Sequence, residues 1–221
     1  MTKYYKYLND NGTGGYSSFR WTDYGLGEWS PEIVGALAMC ENGYHVLTES
    51  QLVGSFMLNN LYEVEVEGET LDSDDKVCVR KVRLVRKVEA INTRALVLFA
   101  ADCAEHVLHF FESKYPRDKR PRQAIEATRS GSAYAACAAD AAYAAYAACA
   151  ADAAYAAAYA AAYAAYAAYA AAYAAYAAYA AAYAARAAYG GYDGVKAWQL
   201  ARFKDYMAGI VDMSLLKVES V

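Results

Sequence analysis

The order of apolar and polar residues divides the chain into two unlike parts that meet near residues 90–93. Before that point, apolar residues alternate with polar ones or occur in short runs, which is typical of strands and turns. After it, they recur every three or four residues, which is typical of helices. The pattern predicts a small α+β domain over residues 1–91, followed by an all-α Ala/Tyr-rich helical array.

In the first part, residues 33–39 form an apolar run that ends at Cys40-Glu41-Asn42-Gly43. Asn-Gly predicts a turn there, because both residues tolerate positive φ. Residues 49–58 place apolar side chains at helical spacing and predict a short helix.

Residues 62–88 predict a β-hairpin with one acidic and one basic strand. Apolar and acidic residues alternate over 62–68, an acidic turn follows at 72–75, and basic residues mark 76–88. The alternation slips at Arg80-Lys81, as at a β-bulge. We interpret the charges mainly as cross-strand pairs on a solvated face. A strand that binds phosphate or nucleic acid is the alternative, although no aromatic residue interleaves the basic ones.

The second part begins with a capped helix pair over residues 92–132. Asn92-Thr93 predicts the N-cap of a helix that runs from residue 94 to about 114. Pro116 ends that helix, and Pro121 suits the first position of the next one. We further predict Ala/Tyr repeat helices over 133–189, a capping helix over 190–211 and a flexible tail over 212–221.

The repeat over 133–189 consists of Ala and Tyr with few exceptions, and Ala is the best helix former. The later tyrosines recur at the spacing of a left-handed coiled-coil seam. The main interpretation is a packing or oligomer surface, so we expect a homo-oligomer or a self-assembling scaffold. Alternatively, polar groups of the repeat line a ligand cavity in which Tyr rings stack on a base. The candidates are Tyr143, Tyr146, Tyr155, Tyr159, Tyr163, Tyr166, Asp140, Asp152 and Arg186.

Composition excludes several classes of protein. The formal net charge of −4 over 221 residues gives no strong field for nucleic acid or membrane. The N-terminus lacks the apolar core of a signal peptide, and the repeat lacks Leu, Ile and Val and contains two aspartates. The five cysteines form no Cys-x-x-Cys motif, so we expect free thiols in a reducing cytoplasm.

Candidate chemistry is sparse. His45 follows the predicted turn and is either structural or a catalytic or ligand-binding residue, with Cys40 and Glu41 near enough for a dyad. The basic loop supplies Arg117, Arg120 and Arg122 as candidate phosphate ligands.

One further cluster carries histidines. Asp102, Glu105, His106 and His109 share one helix face, which suits either an ordinary polar face or a divalent metal. We expect no metal, no cofactor and no catalytic group.

Two stretches resemble known families. Residues Cys40-Glu41-Asn42-Gly43-Tyr44-His45, preceded by Gly15-Tyr16-Ser17-Ser18-Phe19-Arg20-Trp21, resemble an uncharacterised domain family of bacteria and their phages. That resemblance implies a domain boundary, and it implies little about chemistry because the family has no assigned activity.

Residues Phe99-Ala100-Ala101-Asp102-Cys103-Ala104-Glu105-His106 and the later Asp118-x-Arg120-Pro121-Arg122 are similar to a helical family of immunity proteins that accompany polymorphic toxins. This resemblance implies a non-catalytic protein that neutralises a toxin or a defence effector by binding it. A binder that sequesters a nucleotide-derived immune signal is the alternative.

Overall fold

The computed structural model describes residues 2–15, 17–53, 57–131 and 192–211. The chain separates into two units, Met1–Asn92 and Thr93–Val221.

The first unit is built from four antiparallel strands that close into a barrel in the order β1-β2-β4-β3. They are β1 (Tyr4–Leu8), β2 (Tyr44–Thr48), β3 (Asn60–Asp72) and β4 (Val77–Lys87). Pairing of β1 with β3 completes the ring, from Tyr4 opposite Val64 to Leu8 opposite Asn60. The interior is apolar, as the alternation of the strands requires, and is filled by Leu8, Trp21, Tyr44, Val46, Val64, Val77, Val79, Val82 and Leu84.

The hairpin of β3 and β4 carries a row of cross-strand ion pairs. Glu63 accepts from the Arg86 Nε at 2.7 Å, and Glu67 accepts from the Lys81 Nζ at 3.0 Å. Glu65 with Arg83 and Glu69 with Arg80 extend the row. The interpretation as charge pairs on a solvated face is confirmed. Because the partners are exposed, each pair stabilises the hairpin by less than about 1 kcal/mol.

A bulge interrupts the hairpin where the sequence alternation slips. Glu67 lies opposite Lys81, yet Thr70 lies opposite Val79, so β3 holds one extra residue between these pairs. Gly68 has a φ of 86°, which suits a bulge position. The predicted bulge is confirmed, but the extra residue lies on β3, across from Arg80.

The α+β prediction for the first unit is wrong. Its described residues contain a closed β-barrel and two single 3-10 turns, Trp21–Asp23 and Glu49–Gln51, but no α-helix. The predicted helix over 49–58 starts as the second of those turns. Leu52 keeps right-handed helical backbone angles at the end of that turn, and both Leu52 and Val53 are buried. Gly54, which lowers helix propensity, comes directly after them, and residues 54–56 lie outside the described residues. A two-stranded hairpin such as that of β3 and β4 is unstable alone. Pairing with β1 and β2 therefore completes the sheet.

The described part of the second unit contains three α-helices: α1 (Thr93–Lys114), α2 (Arg120–Ser130) and α3 (Tyr192–Met207). The predicted start and end of α1 are confirmed, and so is a second helix with Pro121 in its first turn. Gly131 ends α2 in the left-handed region with a φ of 66°. Buried Phe99 of α1 meets Phe203 of α3 edge-on, with 5.2 Å between ring centroids.

The prediction of an all-α Ala/Tyr-rich helical array is also wrong. The described second unit is three separate helices held by large side chains and ion pairs. The array was predicted from the helix propensity of Ala, which favours a local helix but supplies no side chain that joins one helix to another. The repeat over 133–189 lies outside the described residues.

A close approach at Gly43 generates a stability prediction. Gly43 has a φ of 146°, and a Cβ at this position would lie 2.2 Å from the Cys78 Sγ on β4. We expect Gly43→Ala to lower the free energy of unfolding by about 2–5 kcal/mol, from backbone strain and overpacking together. Urea unfolding measures this loss. Gly27→Ala is the control: its φ is 85° with no atom within 4 Å of the added Cβ, so it should cost about 1–2 kcal/mol. Equal losses in the two variants would contradict the steric argument.

Candidate functional site

A single carboxylate joins the three described helices of the second unit. Asp102 of α1 accepts from Arg129 of α2 at 2.8 Å through Oδ1. Its Oδ2 accepts from the Arg202 Nε and from the Tyr206 hydroxyl of α3, each at 2.8 Å. The Asp102 side chain is 12% exposed. We call Asp102, Arg129, Arg202 and Tyr206 the interhelical hub.

Two further α1 residues border the hub. Glu105 accepts from Arg129 at 2.5 Å, so both arginines of the hub face acidic partners. His106 stacks on Trp198 of α3 with 3.9 Å between centroids and 11° between planes. Burial of His106 and the nearby His109 lower its pKa, which favours a neutral ring against the indole. Burial also raises the pKa of Tyr206, and the Asp102 charge raises it further, so its hydroxyl stays a donor.

The hub accounts for the acidic and histidine face that was considered as a metal site. Asp102 and Glu105 accept hydrogen bonds from guanidinium groups, and the His106 ring stacks on Trp198. Across residues 2–15, 17–53, 57–131 and 192–211, no three His, Cys, Asp or Glu side chains converge as metal ligands would. The face therefore packs helices together.

Of the three candidate arginines, Arg117 lies in the loop between α1 and α2, whereas Arg120 and Arg122 lie in the first turn of α2. Arg122 forms a two-point pair with Glu112 at 2.7 and 2.6 Å, and Arg120 pairs with Asp118 at 2.6 Å. These hydrogen bonds hold the pKa of both carboxyls below their usual range. Arg117 is exposed in the same loop. Two of the three guanidiniums would have to leave an internal partner to bind phosphate.

His45 lies on β2 beside a cavity of about 630 Å³ in the first unit. Its Nε2 accepts from the backbone N–H of Cys40 at 3.1 Å, and Cys40 occupies a left-handed turn with a φ of 65°. A neutral imidazole has one acceptor nitrogen. Because the backbone N–H of Cys40 donates to that nitrogen, His45 holds the turn in this structure. The predicted turn at 40–43 is confirmed, and the dyad stays a prediction.

The cavity is bordered by cations. The Lys6 Nζ donates to the His45 carbonyl at 2.7 Å, and Lys76 pairs with Asp75 at 3.2 Å. Burial, with the charges of Lys6 and Lys76, lowers the pKa of His45. Burial also lowers the pKa of Lys6 to about 8.

The other candidate residues lie outside the described residues: Tyr143, Tyr146, Tyr155, Tyr159, Tyr163, Tyr166, Asp140, Asp152 and Arg186. The structure also shows residues that the sequence reasoning did not select, namely Lys6, Arg129, Arg202 and Tyr206. Lys6 had no clear signal, because it lies in a strand of five residues and the burial of its neighbours Tyr5 and Tyr7 is seen only in the structure. The hub residues of α2 and α3 had none, because their partner lies on a distant helix.

Comparison with known families places the hub in context. A family model described as Imm-5 like putative immunity protein matches residues 86–206, more than half of the chain. The chain belongs to this family. The matched range contains α1, α2 and nearly all of α3, and it contains all four hub residues. No curated protein and no solved structure matches the chain.

The match confirms the resemblance of the helical part to immunity proteins and indicates an immunity-type role. It starts at Arg86, so the resemblance proposed for the first domain stays a prediction. None of the helices among the described residues has the length and apolar character needed to cross a bilayer.

The hub generates a second stability prediction. Asp102→Asn removes the charge that two arginines share, and we expect it to lower the free energy of unfolding of the helical unit by about 2–4 kcal/mol. Urea unfolding followed by circular dichroism at the helical band measures the effect. Glu105→Gln is the matched control, because Glu105 is 44% exposed and its ion-pair partner among the described residues is Arg129 alone, so it should cost less than about 1 kcal/mol. Equal losses would show that Asp102 does not join the helices.

Lys6 generates a prediction about pH. Its pKa in the folded chain is about 8, below its ordinary value of 10.5, so the unfolded chain holds the proton over a wider range. Unfolding then takes up a proton between these values, and stability rises with pH through that window. We expect wild type to gain stability relative to Lys6→Met as pH rises from 8 to about 10. His45, Cys40, Glu41, Asp75 and Lys76 border the same cavity in both proteins, so the difference isolates Lys6. A pH-independent difference would contradict the burial of this charge.

Proposed function

We propose that this chain is an immunity protein that neutralises a toxin by binding it as a protein partner. The observation that carries the proposal is the family match over residues 86–206. The helical unit would present the toxin-binding surface. Its described helices lie almost entirely within the match. The neutralisation would be stoichiometric and would involve no reaction catalysed by this chain.

The way in which the helices are joined supports a binding role. Asp102, Glu105, Arg129 and Arg202 satisfy one another inside the unit. These charges fix the mutual rotation of α1, α2 and α3 and leave no acid or base of this cluster poised for chemistry. A surface held rigid before binding loses less conformational entropy on association, which favours tight binding.

The structure offers less for the alternative, a binder of a nucleotide-derived signal. Arg120 and Arg122, two of its phosphate ligands, are engaged by Asp118 and Glu112. The tyrosines that would stack on a base lie outside the described residues. We therefore favour a protein partner.

Co-expression tests the proposal. A candidate toxin, of the polymorphic type that such immunity proteins accompany, is produced in a bacterial host with and without the chain. We expect growth to be restored by the chain, and the two proteins to elute as one complex on size exclusion. In vitro, toxin activity should reach its minimum at a fixed molar ratio and should not fall further with time, since binding is stoichiometric.

Two variants serve as controls. Asp102→Asn should weaken protection at temperatures that unfold the helical unit. Glu67→Gln on the barrel surface removes one exposed ion pair and should leave protection unchanged. Restored growth at substoichiometric amounts of the chain, or cleavage of the toxin, would show that the chain is an enzyme. Failure to restore growth or to form a complex would contradict the proposal for that toxin.

A further inference from the structure

The cavity of the first unit lies where two strands of the barrel part. β1 pairs with β2 at Tyr4–Thr48 and Tyr5–Leu47. Beyond these pairs, β1 continues against β3, while residues 44–46 of β2 pair with β4. Lys6, Tyr7, His45 and Val46 therefore border an opening between the two strands, and all four line the cavity.

Lys6 places a positive charge at this opening. An ammonium group has three donors. One donates to the His45 carbonyl at 2.7 Å, and Nζ also lies 4.8 Å from the centre of the Trp21 ring. Neither partner carries a negative charge. Among the residues that the structure describes, no carboxylate forms an ion pair with Lys6.

The other charges on the cavity do not compensate for Lys6. Asp75 is paired with Lys76, and its second oxygen accepts from the Ser73 hydroxyl at 2.8 Å. Glu41 is exposed on the turn at 40–43. A half-buried cation without a counter-ion is costly, because burial penalises the charged form.

The rest of the lining suits a small molecule. Val46, Leu47 and Leu58 supply apolar surface, while Gly14, Gly15 and Ser17 are small residues of the lining. A volume of about 630 Å³ lies within the usual range for small-molecule sites. Apolar walls with a few convergent polar groups are the usual composition of such sites.

We propose that this cavity binds a small organic anion whose carboxylate or phosphate group is held by the Lys6 ammonium. The apolar walls would contact the rest of the molecule. Residues before 86 lie outside the family match, so the proposal is independent of the immunity role of the helical unit. Since burial lowers the pKa of Lys6, a bound anion would also relieve an unfavourable charge.

Anion titration of the full chain tests the site. Inorganic phosphate and acetate are added separately at constant ionic strength, with chloride as the balancing anion. NMR follows the ε-methylene of Lys6 and the indole N–H of Trp21. We expect saturable shifts of both signals with at least one anion and no saturable shift of Lys3, which is exposed near the start of the same strand. Saturation by phosphate alone would assign a phosphorylated ligand, and saturation by acetate alone would assign a carboxylate.

Variants separate the site from general charge screening. Lys6→Met keeps the length of the side chain without its charge. It should weaken the affinity for the anion, measured at Trp21, by about tenfold or more. Lys6→Arg should retain binding, and Lys3→Met should not change it. Shifts that are linear in anion concentration, or equal in wild type and Lys6→Met, would overturn the proposal. Because localisation to Lys6 and Trp21 is measured in wild type, the test stands even if a variant is unstable.

Discussion

The second unit depends on one carboxylate, Asp102, which receives hydrogen bonds from two other helices. Removing a carboxylate from water is costly unless its oxygens are satisfied. Here one oxygen meets Arg129, and the other meets Arg202 and Tyr206. Glu105 also pairs with the first arginine, and Asp205 lies 3.8 Å from the second, so three carboxylates face two guanidinium groups. The arrangement favours this relative rotation of the helices, because another would separate Asp102 from its partners on α2 and α3.

This constraint links distant parts of the sequence. Arg202 lies 100 residues after Asp102, and the family match spans the interval between them. Apolar contacts such as Phe99 with Phe203 supply area, but similar packing tolerates alternative apolar side chains. The charged cluster adds specificity that packing alone does not give. A binding protein needs that specificity, because its partner recognises the placement of surface residues and not merely the presence of helices.

Local features were predictable from sequence and distant ones were not. The ends of α1, the Pro at the start of α2 and the charge pairs of the β3–β4 hairpin depend on residues close together or on a regular alternation. By contrast, β1 and β2 are five residues each, too short for a periodic signal. Because these two strands were not predicted, the first unit was predicted as an α+β domain and not as a barrel. Only the α1 side of the hub was predictable. The helical spacing placed Asp102 and Glu105 on one face, but spacing within a helix cannot identify a partner on another helix.

The charged residues of the two units differ in whether they have a partner of opposite charge. This difference supports an anion as the ligand of the cavity. In the helical unit, every charge of the hub meets an opposite one. On the barrel surface, each basic residue from Arg80 to Arg86 that faces β3 has a glutamate. Lys6 is half-buried, yet its partners among the described residues are a carbonyl and an aromatic ring. Folding requirements alone would favour an apolar residue there, since a methionine would pack without the cost of desolvating an ammonium. A cation kept at the mouth of a cavity is accounted for when the cavity receives an anion.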